Sequence, residues 1–392
     1  MRLQLNELVD PLAARVLYSR SAEGIHARFD ISGVPRVDPL LAGKPIDDVP
    51  SIVMRLCGLC PITHHLAGIR ALDALYGMSV APAAQRVRQL LHHASVLDVL
   101  APRVAAIYGD REQARSIKQL AKRVCAAAGL EGHFPFVAVP GGVTEQAASA
   151  FAHCDARSLL DAVAWAHGVF GALQLTTAPT LYDGVNVTVA NESGDYDPLG
   201  DYLRADDELI PVADVPVKIR ETYPFDSAPR PEIFVGGSWR TYRVGPAARY
   251  PHRDALSAQV ESIMDSLAAI SQILSTHIPS ELVNVHADTY AAESPCSTPD
   301  AHGQDQRIHT VGTGAVDGPR GLLLHTYEVE GSVLSRCRIL SPTAQNETWL
   351  AQMLSEALES GGDLETAIRA ADPCLPCTAA PLGGMTIITE EN

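Results

Sequence analysis

The stretch MRLCGLCPITHH, residues 54–65, sets two thiols and two imidazoles within nine positions. Cys57 and Cys60 form a C-x-x-C, and His64 and His65 follow at once. Thiolates are soft ligands, suited to zinc, nickel and iron–sulfur centres. A second C-x-x-C, Cys374 and Cys377, lies in ADPCLPCTAA, residues 371–380. Each pair alone is a weak signal, and the two together point to a four-sulfur metal site. Spacing leaves three readings open: a structural zinc with four cysteine ligands, a dithiol redox pair, or buried inert thiols.

The rest of the composition narrows the class. With 392 residues, 46% of them hydrophobic, the chain can bury a large core, and it reads as a single domain over 1–392. The net charge of −16 argues against a nucleic-acid partner, which selects a basic stripe. Eight cysteines are too sparse for a disulfide scaffold. No apolar run approaches the roughly 20 residues of a membrane span, and MRLQLNELVD lacks the layout of a secretory leader. The expectation is a cytoplasmic protein with no membrane partner.

Periodicity gives an α+β fold, predominantly helical, with small β excursions. Arg15–Tyr18 and His26–Ile31 read as strands. Leu66, Ile69, Leu72 and Leu75 recur at helical intervals and stop at Gly77. Ala83–Tyr108, with Pro102 as a kink or early end, Gln113–Ala128 and Thr144–Leu173 continue the helical run, with FPFVAVPGGV (134–143) as a loop. Residues 180–255 look irregular and partly extended. Ala255–Ile278 is helical, 310–345 is β with a turn at Glu330–Gly331, and Thr348–Leu358 and Leu364–Arg369 return to helix.

The residues around the cysteines carry a resemblance. R-L-C-G-L-C-P-I-T-H (55–64) and D-P-C-L-P-C (372–377) resemble the two end motifs of the [NiFe]-hydrogenase large subunit family. Further segments match in the same order: A-E-G-I-H (22–26), V-P-G-G-V-T (139–144), S-W-R-T-Y-R-V-G-P-A-A-R-Y (238–250), G-P-R-G-L-L-L-H (318–325) and S-P-T-A-Q-N (341–346). The resemblance covers nearly the whole chain and implies that family's helical core.

It also implies a site. Cys57 and Cys374 would be terminal nickel ligands, and Cys60 and Cys377 would bridge nickel and an iron that carries one CO and two cyanides. His64 would hydrogen-bond a bridging sulfur, while His65 is structural. Pro319, Arg320 and Thr343 would pack against or donate to the cyanides, because a buried cyanide nitrogen without a donor is costly. Asp372 would steady Arg320, and Asp98 matches loosely as a further acid. Glu23 would relay protons to a terminal cysteine. In an enzyme, Glu23 and Arg320 would be the catalytic residues.

One position departs from the pattern. Catalytic members place a histidine or arginine after D-P-C-x-x-C-x-x, where an endopeptidase cuts and a magnesium ion binds. Ala380 stands there, followed by PLGGMTIITEEN, with Asp30 the nearest acid for the ion. The chain is therefore most similar to the branch of large-subunit-like maturation scaffolds. That reading implies a carried Fe(CN)2(CO) unit, a small hydrogenase-assembly chaperone, and an acceptor, the catalytic large subunit. The alternative is a catalytic or hydrogen-sensing large subunit with a Ni–Fe centre and an iron–sulfur small subunit. Cys125, Cys154, Cys296 and Cys337 show no cluster spacing and read as buried thiols.

Overall fold

The computed structural model describes residues 13–31, 36, 38–55, 58, 60–108, 110–177, 182–224, 228–276 and 310–391. Cys57 and Cys296 lie outside the described residues, as does the expected end of the helix at Ile278.

The described residues open with a hairpin, β1 (Ala13–Ser21) and β2 (Gly24–Asp30), in antiparallel register. Helix α1 (Pro61–Tyr76) follows, with proline at the first turn, where a missing N–H costs nothing. Next come α2 (Pro82–Ile107) and α3 (Arg111–Ala127). Pro102 is accommodated inside α2, which runs on past it. The Pro-Gly-Gly segment is a miniature hairpin, β3 (Ala138–Val139) and β4 (Gly142–Val143). The expected long helix over Thr144–Leu173 is two helices, α4 (Glu145–Ala152) and α5 (Ala156–Gly171). Asp155 breaks it by accepting a hydrogen bond from the Ser158 N–H as the cap of the second.

The β content exceeds the expectation of small excursions. Residues 185–244 form a six-stranded sheet from β5 (Val185–Ala190), β6 (Tyr202–Ala205), β7 (Glu208–Pro211), β8 (Ile219–Glu221), β9 (Pro231–Val235) and β10 (Ser238–Val244), in the order β7-β6-β5-β10-β9-β8. Helix α6 (Ala255–Ser275) leads to a three-stranded meander, β11 (Val311–Gly318), β12 (Gly321–Glu330) and β13 (Val333–Leu340). The expected turn at Gly331 joins its last two strands. The two sheets share one apolar cluster that includes Val187, Tyr242, Leu322 and Leu324. Helices α7 (Glu347–Ser360) and α8 (Leu364–Ala371) follow, and β14 (Thr386–Glu391) closes the chain by pairing in parallel with β1.

Faces of α1 to α6 meet in the largest apolar cluster. Among the described residues, α2 is the one helix long and apolar enough by length and composition to cross a bilayer, and 67% of its apolar window is buried inside the protein. Core packing accounts for that hydrophobicity. Strand β11 lies directly on the backbone of α1. A Cβ at Gly312 or Gly314 would collide with the Ala71 or Ala67 carbonyl oxygen. The alternating glycines are what let this strand, and the Pro319–Arg320 turn after it, reach the N-terminal end of α1.

Candidate metal centre

Cys60 is the residue before α1, and its carbonyl accepts the first helical bond, from the His64 N–H at 3.3 Å. Cys374 arrives from the other end of the chain. Helix α8 ends at Asp372, which takes a left-handed conformation at φ 48° and turns the chain sharply into Pro373 and Cys374. The Cys374 N–H donates to the Thr343 hydroxyl at 2.7 Å. The result is a distance of 3.5 Å between the Cys60 and Cys374 sulfurs. At metal–sulfur bonds of about 2.3 Å, one ion touching both would subtend an angle of about 100°.

Above the sulfurs lies a shared ion cluster. Asp372 is 3.0 Å from Arg320 Nε through one oxygen and 2.8 Å from Arg103 Nη1 through the other. Burial works against the charge on Arg320, but Asp372, Cys374 and Cys60 outweigh it and hold its pKa above the ordinary value. Arg103 moves the other way: burial comes first, and Arg320 and Arg369 add repulsion that Asp372 only partly offsets. Arg369 donates to the Thr378 and Pro381 carbonyls, which fastens the segment holding Ala380 to α8.

The predicted residues fall into three groups. Cys60, Cys374, Arg320, Asp372 and Thr343 are brought together. Pro319 joins them, lining a small cleft with Arg320 and Asp372. Cys377 is close in sequence but buried in the apolar cluster beneath β1 and β2, where burial lifts its thiol to about 11. Among the described residues no three Cys, His, Asp or Glu side chains form a metal-sized group, with Cys57 outside those residues. His64 is buried and shares a 3.0 Å hydrogen bond with His325, which is linked in turn to the Tyr327 hydroxyl at 2.8 Å. His65 is structural, as expected: its Nε2 accepts from the Ala138 N–H at 3.0 Å, so the ring is neutral.

Glu23 does not join the site. Glu23 belongs to the exposed two-residue turn, Ala22 and Glu23, between β1 and β2. Asp98 is partly exposed and pairs with Lys118 at 2.6 Å. Asp30 lies 3.7 Å from Arg15. Sequence reasoning missed Arg103, Arg369 and His325. Arg103 carries no local signal, being one arginine in a long helix. His325 was visible as the last letter of G-P-R-G-L-L-L-H.

The site suits a metal bearing small acceptor ligands. Two thiols supply soft donors. Arg320 Nη1 is buried without a hydrogen-bond partner among the described residues. The Thr343 hydroxyl accepts from Cys374 and keeps its own hydrogen to donate.

Comparisons with known proteins bear on the motif and on the fold. The sequence profile of the nickel-dependent hydrogenases matches residues 37–99, the stretch holding Cys57, Cys60 and His64. The F420-non-reducing hydrogenase of Methanothermobacter marburgensis has a subunit that is 24% identical, over 87% of this chain and 86% of that protein. The chain is similar in sequence to hydrogenase subunits and shares its fold with a [NiFe]-hydrogenase chain. In the vhu F420-non-reducing hydrogenase of Methanocaldococcus jannaschii, one subunit is 28% identical, over 29% of this chain and 34% of that protein. A solved NAD+-reducing [NiFe]-hydrogenase in the H2-reduced state superposes with a TM-score of 0.67 at 22% identity, covering 91% of this chain and 93% of that one, which shows the fold.

Proposed function

We propose that the chain is a large subunit that holds a thiolate-bound nickel–iron centre and, with an iron–sulfur partner subunit, takes part in hydrogen activation. The observation that carries this reading is the meeting of Cys60 and Cys374 beside Arg320. The named relatives are hydrogenase subunits, and this favours an enzyme over a carrier. Such a centre supplies a redox-active site for hydrogen. Cys60 and Cys374 would hold such a centre, with Cys57 and Cys377 the further thiols of the two C-x-x-C motifs that could join them. Arg320 and Thr343 present donors to the diatomic ligands, with Pro319 packed beside them. Asp372 fixes the guanidinium of Arg320, and His64 supports the Cys60 end of α1.

One observation favours a second reading, a scaffold that carries the Fe(CN)2(CO) unit to a catalytic large subunit with the help of an assembly chaperone. Ala380 cannot ligate an ion, and the residues after it are built into the fold through Arg369 and the β1–β14 pairing. Infrared absorption in the region of metal-bound CO and cyanide, with nickel and iron analysis, separates the two. Equimolar nickel and iron with bands that shift under hydrogen support the enzyme. Iron with diatomic bands and no nickel supports the scaffold. The absence of those bands from protein matured in a hydrogenase-producing host overturns both.

A further inference from the structure

A cavity of about 890 Å³ opens onto Cys60 between α2, α3 and the loop after α8. Its lining is unlike the rest of this acidic chain. Arg103, Lys118, Lys122, Arg320 and Arg369 face it against one carboxylate, Asp98. Chance does not favour such a surplus in a protein of net charge −16. The cations are also graded in depth. Arg320 and Arg369 are more than nine-tenths buried at the sulfur end. Lys118 and Lys122, one helical turn apart on α3, lie at the solvent end, Lys118 with 42% of its side chain exposed. Asp98 takes part of the Lys118 charge, and Asp372 is shared between Arg103 and Arg320. The remaining field draws anions inward. Low-dielectric walls focus it, and such focusing raises local anion concentration and association rates.

We propose that this cavity is an entry vestibule for an anionic, sulfur-seeking ligand, with Lys118 and Lys122 as steering charges and Arg320 as the terminal donor beside Cys60. This rests on the reading of the site as a thiolate-bound metal centre that takes up a cyanide-bearing iron unit; iron(II) with two cyanides and a carbonyl is neutral by itself, so the negative charge that the vestibule selects is that of a further anionic ligand, such as a donor thiolate, carried in on the iron. The roles of Lys118 and Lys122 belong to transit and not to the bound state, so their loss changes the rate of arrival and leaves the floor of the site intact.

The test uses the metal-free full chain and two thiol probes of similar size, anionic iodoacetate and neutral iodoacetamide. Each forms a carbon–sulfur bond and releases iodide. Alkylation of Cys60 is followed by peptide mass spectrometry at fixed pH, with the partly exposed Cys154 as an internal control outside the cavity. In K118E/K122E the iodoacetate rate at Cys60 is expected to fall by about three- to ten-fold, with the iodoacetamide rate and both Cys154 rates unchanged. In the parent chain, 0.5 M salt should produce the same selective loss, because the Debye length then shrinks to a few ångströms. The milder K118Q/K122Q pair carries the test if charge reversal prevents folding. Equal losses for both probes would mean that the lysines govern access rather than charge, and would overturn the proposal. An iodoacetate rate insensitive to salt and to both variants would overturn it as well. Infrared bands in matured protein together with an unsteered Cys60 would reject the vestibule and keep the metal centre.

Discussion

Asp372 is the residue on which the site turns. Its left-handed backbone aims Cys374 at Cys60, and its carboxylate is the shared partner of two largely buried arginines. Removing it leaves both guanidinium groups without their counter-charge. Breaking a buried ion pair from one side costs about 3–5 kcal/mol. Asp372→Ala should therefore lower the urea midpoint by an amount equivalent to about 3 kcal/mol or more. Arg103→Ala should cost less, because Arg320 remains beside the carboxylate. Equal losses for the two variants would show that Asp372 does not bridge the pair.

At the scale of elements, the contact between β11 and α1 decides whether the two halves of the site meet. Alternate glycines let strand backbone touch helix backbone, and the neighbouring Gly245, at φ 86°, leaves room for the Arg320 carbonyl oxygen, 2.7 Å from where a Cβ would stand. Gly314→Ala forces a methyl into a backbone with no flexible side chain to yield. Overpacking of this kind costs about 1–3 kcal/mol, and here it also pushes the Pro319–Arg320 turn away from Cys60. Gly331→Ala, with open space around its Cβ, should not disturb that contact. The expected result is that only the Gly314 variant changes Cys60 alkylation. The β3–β4 hairpin is held similarly from a distance: Asp73 accepts from the Gly141 N–H at 2.7 Å and pairs with Arg88, and His65 accepts from Ala138. His65→Ala orphans a buried N–H, a loss of about 1–3 kcal/mol that should appear as faster amide exchange at Ala138.

For the whole molecule, the buried histidines set the response to acid. Burial first, with nearby Arg88 and Arg249 adding to it, lowers His65 and His93 to about 3, from an ordinary value of 6.5. His92 and His325 are driven well below that ordinary value for the same leading reason. Between pH 6.5 and 3 the unfolded chain binds protons that the folded chain refuses, so stability is full above pH 6.5 and falls as the pH drops. At about pH 5 each such histidine removes about 2 kcal/mol. The urea midpoint should fall steeply from about pH 7 to about pH 5. A flat profile would mean that these rings are protonated in the folded protein.

The donor atoms, most of the helices, the strand segments 15–18 and 26–31 and the turn at Glu330–Gly331 were legible in the sequence. Those features are local: a C-x-x-C and a 3.6-residue period each fit within a few residues, whereas the Asp155 cap that divides 144–173 into two helices escapes such a reading. The sequence also carried the likeness of the motifs around Cys57 and Cys374. Long-range packing brings Cys60 against Cys374, lets Arg103 share Asp372, and leaves Glu23 on an outer turn. The sheet over 185–244 belongs to the same class. Its strands are three to seven residues long, and what makes them a sheet is hydrogen bonding and apolar contact with distant segments. A short window of sequence holds no record of those partners, because the energy that selects them is summed over the whole folded core.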